Sequence, residues 1–345
     1  MKRFKKKILI IGAKEKTSLE MMYYRAFKSI GATTTIFQIE KNTNNFFFLK
    51  IKKFFKLIYF SYVRNKLLKY IKKKSKNFDI VIVFKGIYLN ADTLIKCKNI
   101  SKKTLWVNIF ADDPFNSQFI KESNYSLLNA IQHYDFFCIW SYRIFKKLKK
   151  IIKVNRLIYL PFAYDNFNHF SYKKKSRHRN LITFIGTLDN QRSKFLSKIK
   201  DVNLNIYGNN SYKYKKFFKN KNIKFYPEIY GEKMRSVMKQ SLVSINILRK
   251  QNKYSHNMKT FEIPAMNCLM LTTRSWEQDI LLPENKACFM YSSLKEFKKK
   301  LRYILVNQNK LAKVRSLGYK SIKKYTYIYR ATQLLNEINK IKDKQ

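Results

Sequence analysis

Apolar residues in this chain fall into short unbroken runs, which alternate with stretches whose apolar positions recur at helical spacing. KILIIGA (7–13), TTTIFQI (33–39), FDIVIVFKG (78–86), the segment 104–110 and YDFFCIW (134–140) have the length of strands buried on both faces. Between them, 17–30, a short segment through Asp92 and Leu94, 117–132 and 142–152 read as helices, the first closing at Gly31. The pattern is then lost. Pro161 interrupts RLIYLPFAYD, and NFNHFSYKKKSRHRN is polar, basic and aperiodic, which predicts a domain boundary near 165–180. Strands resume at LITFIGT (181–187), VNLNIYG (202–208), NIKFYPE (222–228), LVSINIL (242–248), 268–271 and KACFMY (286–291). Helices are expected after LDNQR, over 231–240 and twice within 294–324. The alternation predicts an α/β protein of two Rossmann-type α/β/α domains, 1–165 and 180–325, facing a cleft. A final helix in 326–345 is expected to cross back to the first domain.

The richest stretch is SHNMKTFEIPAMNCLMLTTRS (255–275), which predicts a polar loop, a short helix, a turn and a buried strand. Asn257 suits an N-cap, and Asn267 suits the left-handed position after the helix. Lys259 and the helix start favour phosphate, and Glu262 can accept from ribose hydroxyls. An ordinary surface helix with a Lys/Glu pair is the plainer alternative.

Composition adds charge to this picture. The formal net charge is +52, from 73 Lys and Arg against 21 Asp and Glu, yet 46% of residues are hydrophobic, so the chain is not a disordered basic tail. Such a field attracts anions. The lysines are spread throughout and accompanied by Asn, Ile, Phe and Tyr, as a strongly AT-biased genome would also produce. The four cysteines, Cys97, Cys138, Cys268 and Cys288, stand in apolar settings without CxxC spacing, which predicts buried free thiols in a reducing compartment. The N-terminal apolar run is too short for a signal peptide, and no run reaches the ~18 uncharged residues of a membrane span. A cytoplasmic location is expected. The lysine- and aromatic-rich segment 46–74 places Phe47, Ile51, Phe54, Phe55, Ile58 and Tyr62 at helical spacing. This predicts a crossover helix with that stripe on the sheet and outward lysines, able to touch anionic lipid at the inner face of the plasma membrane.

The first strand–helix turn contains Gly12 but neither GxGxxG nor a GKS/GKT signature, so it is not expected to be the main phosphate site. The fourth strand runs directly into Asp112, Asp113 and Pro114, at the position where parallel sheets line a ligand crevice. DDP is a poor metal motif without further ligands nearby, so a base is favoured over a metal site; Pro114 also suits a simple turn. His133 and His169 read as structural.

Taken in order, ADDP (111–114), LPFAYD (160–165), FIGTLDNQR (184–192), NIYG (205–208), SINIL (244–248), KTFEIPAMN (259–267) and YTYIYR (325–330) resemble the CgeB-like (spore maturation protein) glycosyltransferases, relatives of the group-1 transferases of the GT-B class. The resemblance implies a GT-B-like fold and transfer of a sugar from a nucleotide-sugar donor to an envelope or cell-surface glycan, or to a protein, of hexosyl type and with retention. It implies no metal and no cofactor beyond the donor substrate. Gly186, Thr187, Arg192, Asn246, His256, Asn257, Lys259 and Glu262 are the implied donor-binding set, with Glu262 on the ribose and Arg192 near the diphosphate. Asp112 and Asp113 are the candidate catalytic carboxylates. The chain departs from the family pattern at Lys259, where Arg is usual, and at Asn267, where Gly is usual; Ser255 lacks the carboxylate of the paired-glutamate motif. The alternatives are a polyanion (RNA) binder, a GT-B domain that binds sugar nucleotide without catalysis, and a GT-B epimerase. The aromatics lie mostly in strands and helix stripes rather than on a stacking surface, so nucleic acid is not the expected partner.

Overall fold

A computed structural model describes residues 3–39, 56–74, 77–116, 126–151, 156–171, 181–200, 202–209 and 211–342. The chain divides into two compact units, Met1–Pro161 with Ile328–Gln345, and Phe162–Tyr327.

The first unit is built on a six-stranded sheet ordered β2-β1-β3-β4-β5-β6. Its strands are β1 (Lys7–Gly12), β2 (Thr33–Gln38), β3 (Ile80–Phe84), β4 (Leu105–Phe110), β5 (Phe136–Ile139) and β6 (Leu157–Tyr159). All neighbouring pairs are parallel. Helices α1 (Leu19–Ser29), α2 (Lys56–Lys74), α3 (Ala91–Ile100), α4 (Ser126–Ile131) and α5 (Tyr142–Ile151) make the crossovers. Caps set where they begin: the Ser18 hydroxyl accepts from Met21 N–H at 3.3 Å and the Asn90 side chain accepts from Thr93 N–H at 3.2 Å. Strands β3 and β5 are buried at every position, as their unbroken apolar runs require. Sheet growth reverses direction between β1 and β3, which makes the switch point of this unit.

The second unit repeats the plan with the order β12-β11-β10-β7-β8-β9, again all parallel. Its strands are β7 (Leu181–Ile185), β8 (Leu204–Tyr207), β9 (Ile223–Tyr226), β10 (Ser241–Asn246), β11 (Leu269–Thr273) and β12 (Phe289–Tyr291). The helices are α6 (Asn190–Leu196), α7 (Gly231–Gln240), α8 (Lys259–Ala265), α9 (Trp276–Leu281), α10 (Leu294–Val306) and α11 (Leu311–Ile322). Phe184, Ile206, Val243, Ile245, Leu271, Phe297 and Ile304 form its buried centre. Here the switch point lies between β7 and β10. The last helix, α12 (Tyr327–Lys342), returns to the first unit from Ile328 onward, burying Ala331, Leu334, Leu335 and Ile338.

Three expectations change. The edge strand β6 is too short, with Pro161 just beyond it, to show as an apolar run, and α9 is an addition to the expected helices. In α2 the buried stripe is Phe60, Val63, Leu67 and Ile71, whereas Ile58 and Tyr62 are 66% and 62% exposed. The expected stripe is thus out of register: Ile58 and Tyr62 are one turn apart and share a face, but it is the outer one. The residues Phe47, Ile51, Phe54 and Phe55, the start of the helix expected over 117–132, and most of the basic linker before 180 lie outside the described residues. All four cysteines are buried and free. No helix among the described residues is long and apolar enough to cross a membrane.

Candidate functional site

At the switch point of the second unit, the chain leaves β7 through Gly186 and Thr187. The backbones of β7 and β8 converge there: a Cβ on Gly208 would stand 2.1 Å from the Gly186 carbonyl oxygen, so only glycine fits. Asp189 then caps α6, its Oδ1 accepting from Arg192 N–H at 2.9 Å. The Arg192 side chain turns back across the gap between β7 and β10. Its Nη1 donates to the Thr187 carbonyl at 2.9 Å, and its Nε and Nη2 donate to the Ile247 carbonyl at 3.2 and 2.6 Å. Arg192 therefore ties together the two strand ends that border the switch-point crevice. Burial, with the charge of Arg249 beside it, lowers its pKa to about 10.

The helix α8 is held over the end of β10 by side-chain amides. Asn246 and Asn257 exchange two hydrogen bonds, at 3.1 and 2.9 Å. The Asn257 Oδ1 accepts from Thr260 N–H at 3.1 Å, and Asn257 N–H donates to the Thr260 hydroxyl at 3.2 Å, so Asn257 caps the helix reciprocally. Beneath, Gln278 Oε1 accepts from the Thr260 and Thr272 hydroxyls at 2.8 and 3.1 Å. The helix stops in a Schellman turn: Asn267 has φ of 53°, with Asn267 N–H on the Pro264 carbonyl at 2.8 Å and Cys268 N–H on the Ile263 carbonyl at 3.3 Å.

On the inner side of α8, Glu262 is 3% exposed. Its Oε2 receives the Lys259 ammonium at 2.6 Å, and its Oε1 lies 3.8 Å from His169 Nε2. Asp165 N–H donates to His169 Nδ1 at 3.2 Å, which leaves the ring proton on Nε2, facing the carboxylate. Burial lowers the His169 pKa, against the pull of Glu262, so the ring is uncharged at neutral pH. For Glu262, burial pushes the pKa up, but Lys259 outweighs it and holds the carboxyl below its ordinary value. With His169 neutral, Lys259 supplies the charge that keeps this buried carboxylate ionised. Arg235 braces the cluster, donating to the Asn168 carbonyl at 3.1 Å with its guanidinium 4.2 Å from the Phe170 ring centre.

His256, one of the expected donor contacts, is fully buried and does a different job. Its Nε2 accepts from Phe162 N–H at 3.2 Å, and its Nδ1 meets Glu277 Oε2 at 2.9 Å, where the Ser255 hydroxyl also donates at 2.6 Å. Both ring nitrogens are occupied, so His256 anchors the chain where it enters the unit. The aperiodic loop gives no sign of this, because Phe162 and Glu277 are distant in sequence.

In the first unit the two aspartates separate in role. Asp113 Oδ1 accepts from Phe115 N–H at 2.9 Å, forming the turn that Pro114 suggested. Asp112 instead pairs with Lys85, Nζ to Oδ2 at 2.8 Å, the lysine side chain being half exposed. Lys85 and Gly86 both have positive φ, 57° and 72°, at the end of β3. A side chain at 86 would collide with Val83, Asn108 and the Tyr134 hydroxyl, and Asn108 Nδ2 donates to the Lys85 carbonyl at 3.2 Å. The left-handed pair thus steers the Lys85 ammonium onto Asp112, a partnership between distant positions that the sequence does not signal.

The structure places the other expected donor contacts in the second unit: Gly186 and Thr187 follow β7, Arg192 lies in α6, Asn246 ends β10, and Asn257, Lys259 and Glu262 stand at the start of or within α8, which Asn257 ties to Asn246. Sequence reasoning overlooks Arg249 and treats His169 as a bystander, although it faces Glu262. Arg249 stands two positions past Ile247, whose carbonyl receives Arg192, and its side chain is 46% exposed. Its place just beyond a buried strand is the signal that could have singled it out. Among the described residues, no group of three or more His, Cys, Asp or Glu side chains is placed to hold a metal ion.

Residues 191–336 match a family model described as glycosyl transferase-like. No curated protein matches the sequence. Over nearly the whole chain the fold is that of solved structures at low identity. Anabaena Alr3699/HepE, solved in complex with UDP and glucose, matches with a TM-score of 0.68 at 10% identity, over 97% of this chain and 100% of its own. A glycosyltransferase from Rickettsia africae matches with a TM-score of 0.64 at 13% identity, over 96% of this chain and 97% of its own. TarM matches with a TM-score of 0.68 at 11% identity, over 97% and 99% of the two chains. The fold class is therefore α/β and GT-B-like, with two Rossmann-like units.

Proposed function

We propose that this protein is a glycosyltransferase that takes a sugar from a nucleotide-sugar donor, and that the second unit holds the donor. The observation that carries this reading is the buried Glu262 carboxylate, kept ionised by Lys259 on a helix tied to the end of β10. An ionised carboxylate that retains acceptor capacity is suited to the vicinal hydroxyls of a ribose. It lies within the segment that matches the glycosyl transferase-like model, and Alr3699/HepE, of the same fold, was solved with UDP and glucose.

In the proposed reaction the acceptor oxygen bonds to the anomeric carbon as the bond from that carbon to the diphosphate breaks. The departing nucleoside diphosphate gains negative charge, which fixed cations of the second unit stabilise without a metal. Asp112 takes or orients the proton of the acceptor hydroxyl, with Lys85 holding the carboxylate in place. Asp113 is left with the turn. Within this reading we assign the protein to CgeB-like, retaining hexosyl transfer onto an envelope or surface glycan or a protein. It works from the cytoplasm and touches anionic lipid through the outer face of α2.

Calorimetric titration of the full chain with UDP, GDP, dTDP, CMP and their sugars, at moderate and high salt, tests the donor site. Selective binding of one nucleotide class that survives added salt and is lost in Glu262→Ala is the expected result. Binding that ignores the base and disappears with salt would instead indicate a polyanion binder. Selective binding with neither transfer nor donor hydrolysis would leave a sugar-nucleotide binder without catalysis.

A further inference from the structure

The switch-point crevice of the second unit carries two guanidiniums and one carboxylate. Arg192 is fixed behind, its Nε, Nη1 and Nη2 directed at the Thr187 and Ile247 carbonyls, and its side chain is 11% exposed. Arg249, just past β10, is 46% exposed and rests its Nε 3.4 Å from Asp189 Oδ2. The same Oδ2 lies 3.9 Å from Arg192 Nε. One carboxylate thus serves two guanidiniums, and Asp189 also uses Oδ1 to cap α6. The crevice keeps a net positive charge, and the two arginines disfavour one another: next to burial, Arg249 is what weakens the hold of Arg192 on its proton. A bound dianion would relieve that repulsion.

We infer that Arg249 is the residue that grips the diphosphate of the ligand, exchanging Asp189 for phosphate oxygens, while Arg192 stays in place as the clasp between β7 and β10. This rests on the nucleotide-sugar reading and adds a binding residue to it. A guanidinium presents two parallel N–H donors to a phosphate, which an ammonium cannot match. Its half-exposed side chain has room to move, and Thr187 at the opposite lip is exposed. Asp189 acts as a stand-in anion that must be displaced, so it sets the affinity as well as the capped start of α6.

The test is calorimetry on the full chain with UDP, GDP, dTDP and inorganic pyrophosphate at two salt concentrations, with thermal unfolding of each variant alongside. Arg249→Gln is expected to weaken the tighter-binding nucleoside diphosphate roughly 10- to 100-fold, the size of a lost charged hydrogen bond. It should leave the melting temperature nearly unchanged, because the side chain is half exposed. Arg249→Lys should recover only part of the affinity. Asp189→Asn retains an oxygen for the cap and removes the competing charge, so it should bind more tightly than the wild type. Wild-type binding of UDP, GDP or dTDP with an Arg249→Gln affinity within about twofold overturns the role of Arg249 and leaves the donor reading standing. Failure of the wild type to bind pyrophosphate or any of UDP, GDP and dTDP overturns both.

Discussion

Replacing Lys259 by methionine removes the charge opposite Glu262 while keeping most of the side-chain volume. The carboxylate it leaves behind is 4% exposed by side chain, whereas Lys259 itself is 24% exposed. Breaking a fully buried ion pair by removing one partner costs about 3–5 kcal/mol. Because Lys259 is partly solvated and the carboxyl can protonate instead, we place the loss at about 2–3 kcal/mol at pH 7. For a unit of this size that lowers the melting temperature by roughly 5–10 °C. Thermal unfolding followed by circular dichroism measures it. The accompanying pH dependence has a defined sign. Without Lys259 the folded pKa of Glu262 rises, so the variant suffers most at high pH and approaches the wild type as acid protonates the carboxyl. In Lys259→Met/Glu262→Gln no buried charge is left, and most of the lost stability should return. A Lys259→Met melting temperature within about 1 °C of the wild type at pH 7 would show that Glu262 does not depend on this lysine.

Acidification should also act through His169, whose folded pKa lies below its unfolded value of about 6.5. The unfolded chain then binds the extra proton first, so stability is complete above that pH and declines below it; His169→Gln should flatten this part of the profile in melting curves from about pH 7 to 5. Lys85→Gly removes a left-handed non-glycine residue, worth about 1 kcal/mol, and a half-exposed ion pair worth about 0–1 kcal/mol, so its melting temperature should hold or rise. A clear fall would make Lys85 a structural residue rather than one retained for Asp112. The exposed pair Ile58 and Tyr62 on α2 predicts co-sedimentation with anionic vesicles that weakens in Ile58→Asp/Tyr62→Asp; equal pelleting with neutral vesicles would refute a lipid-facing role.

What the sequence conveys and what it withholds follow a physical division. Strands buried on both faces announce themselves as apolar runs, and the two sheets are legible for that reason. Local devices are legible as well: Asn257 at the start of α8 and Asn267 in the left-handed position at its end depend only on near neighbours. Contacts that the fold makes between distant segments are not. His256 meeting Phe162 and Glu277, and Lys85 meeting Asp112, arise only once strand ends are aligned. The register of α2 escapes periodicity because aromatic residues lie on both of its faces, so spacing alone cannot choose the inner one. Arg192 is expected at the diphosphate from its place in the motif, and the structure shows its guanidinium already engaged by two carbonyls.

The return of α12 to the first unit has a consequence for how the protein is made. During synthesis, everything through β6 emerges before the second unit, yet α12, which packs into the first unit through its own Ala331, Leu334, Leu335 and Ile338, emerges only after it. The nascent first unit must wait with part of its apolar surface uncovered, while the second, being continuous in sequence, can fold as soon as it leaves the ribosome. A stalled or prematurely ended chain would therefore carry one finished unit and one adhesive one, and would be a natural client for chaperones.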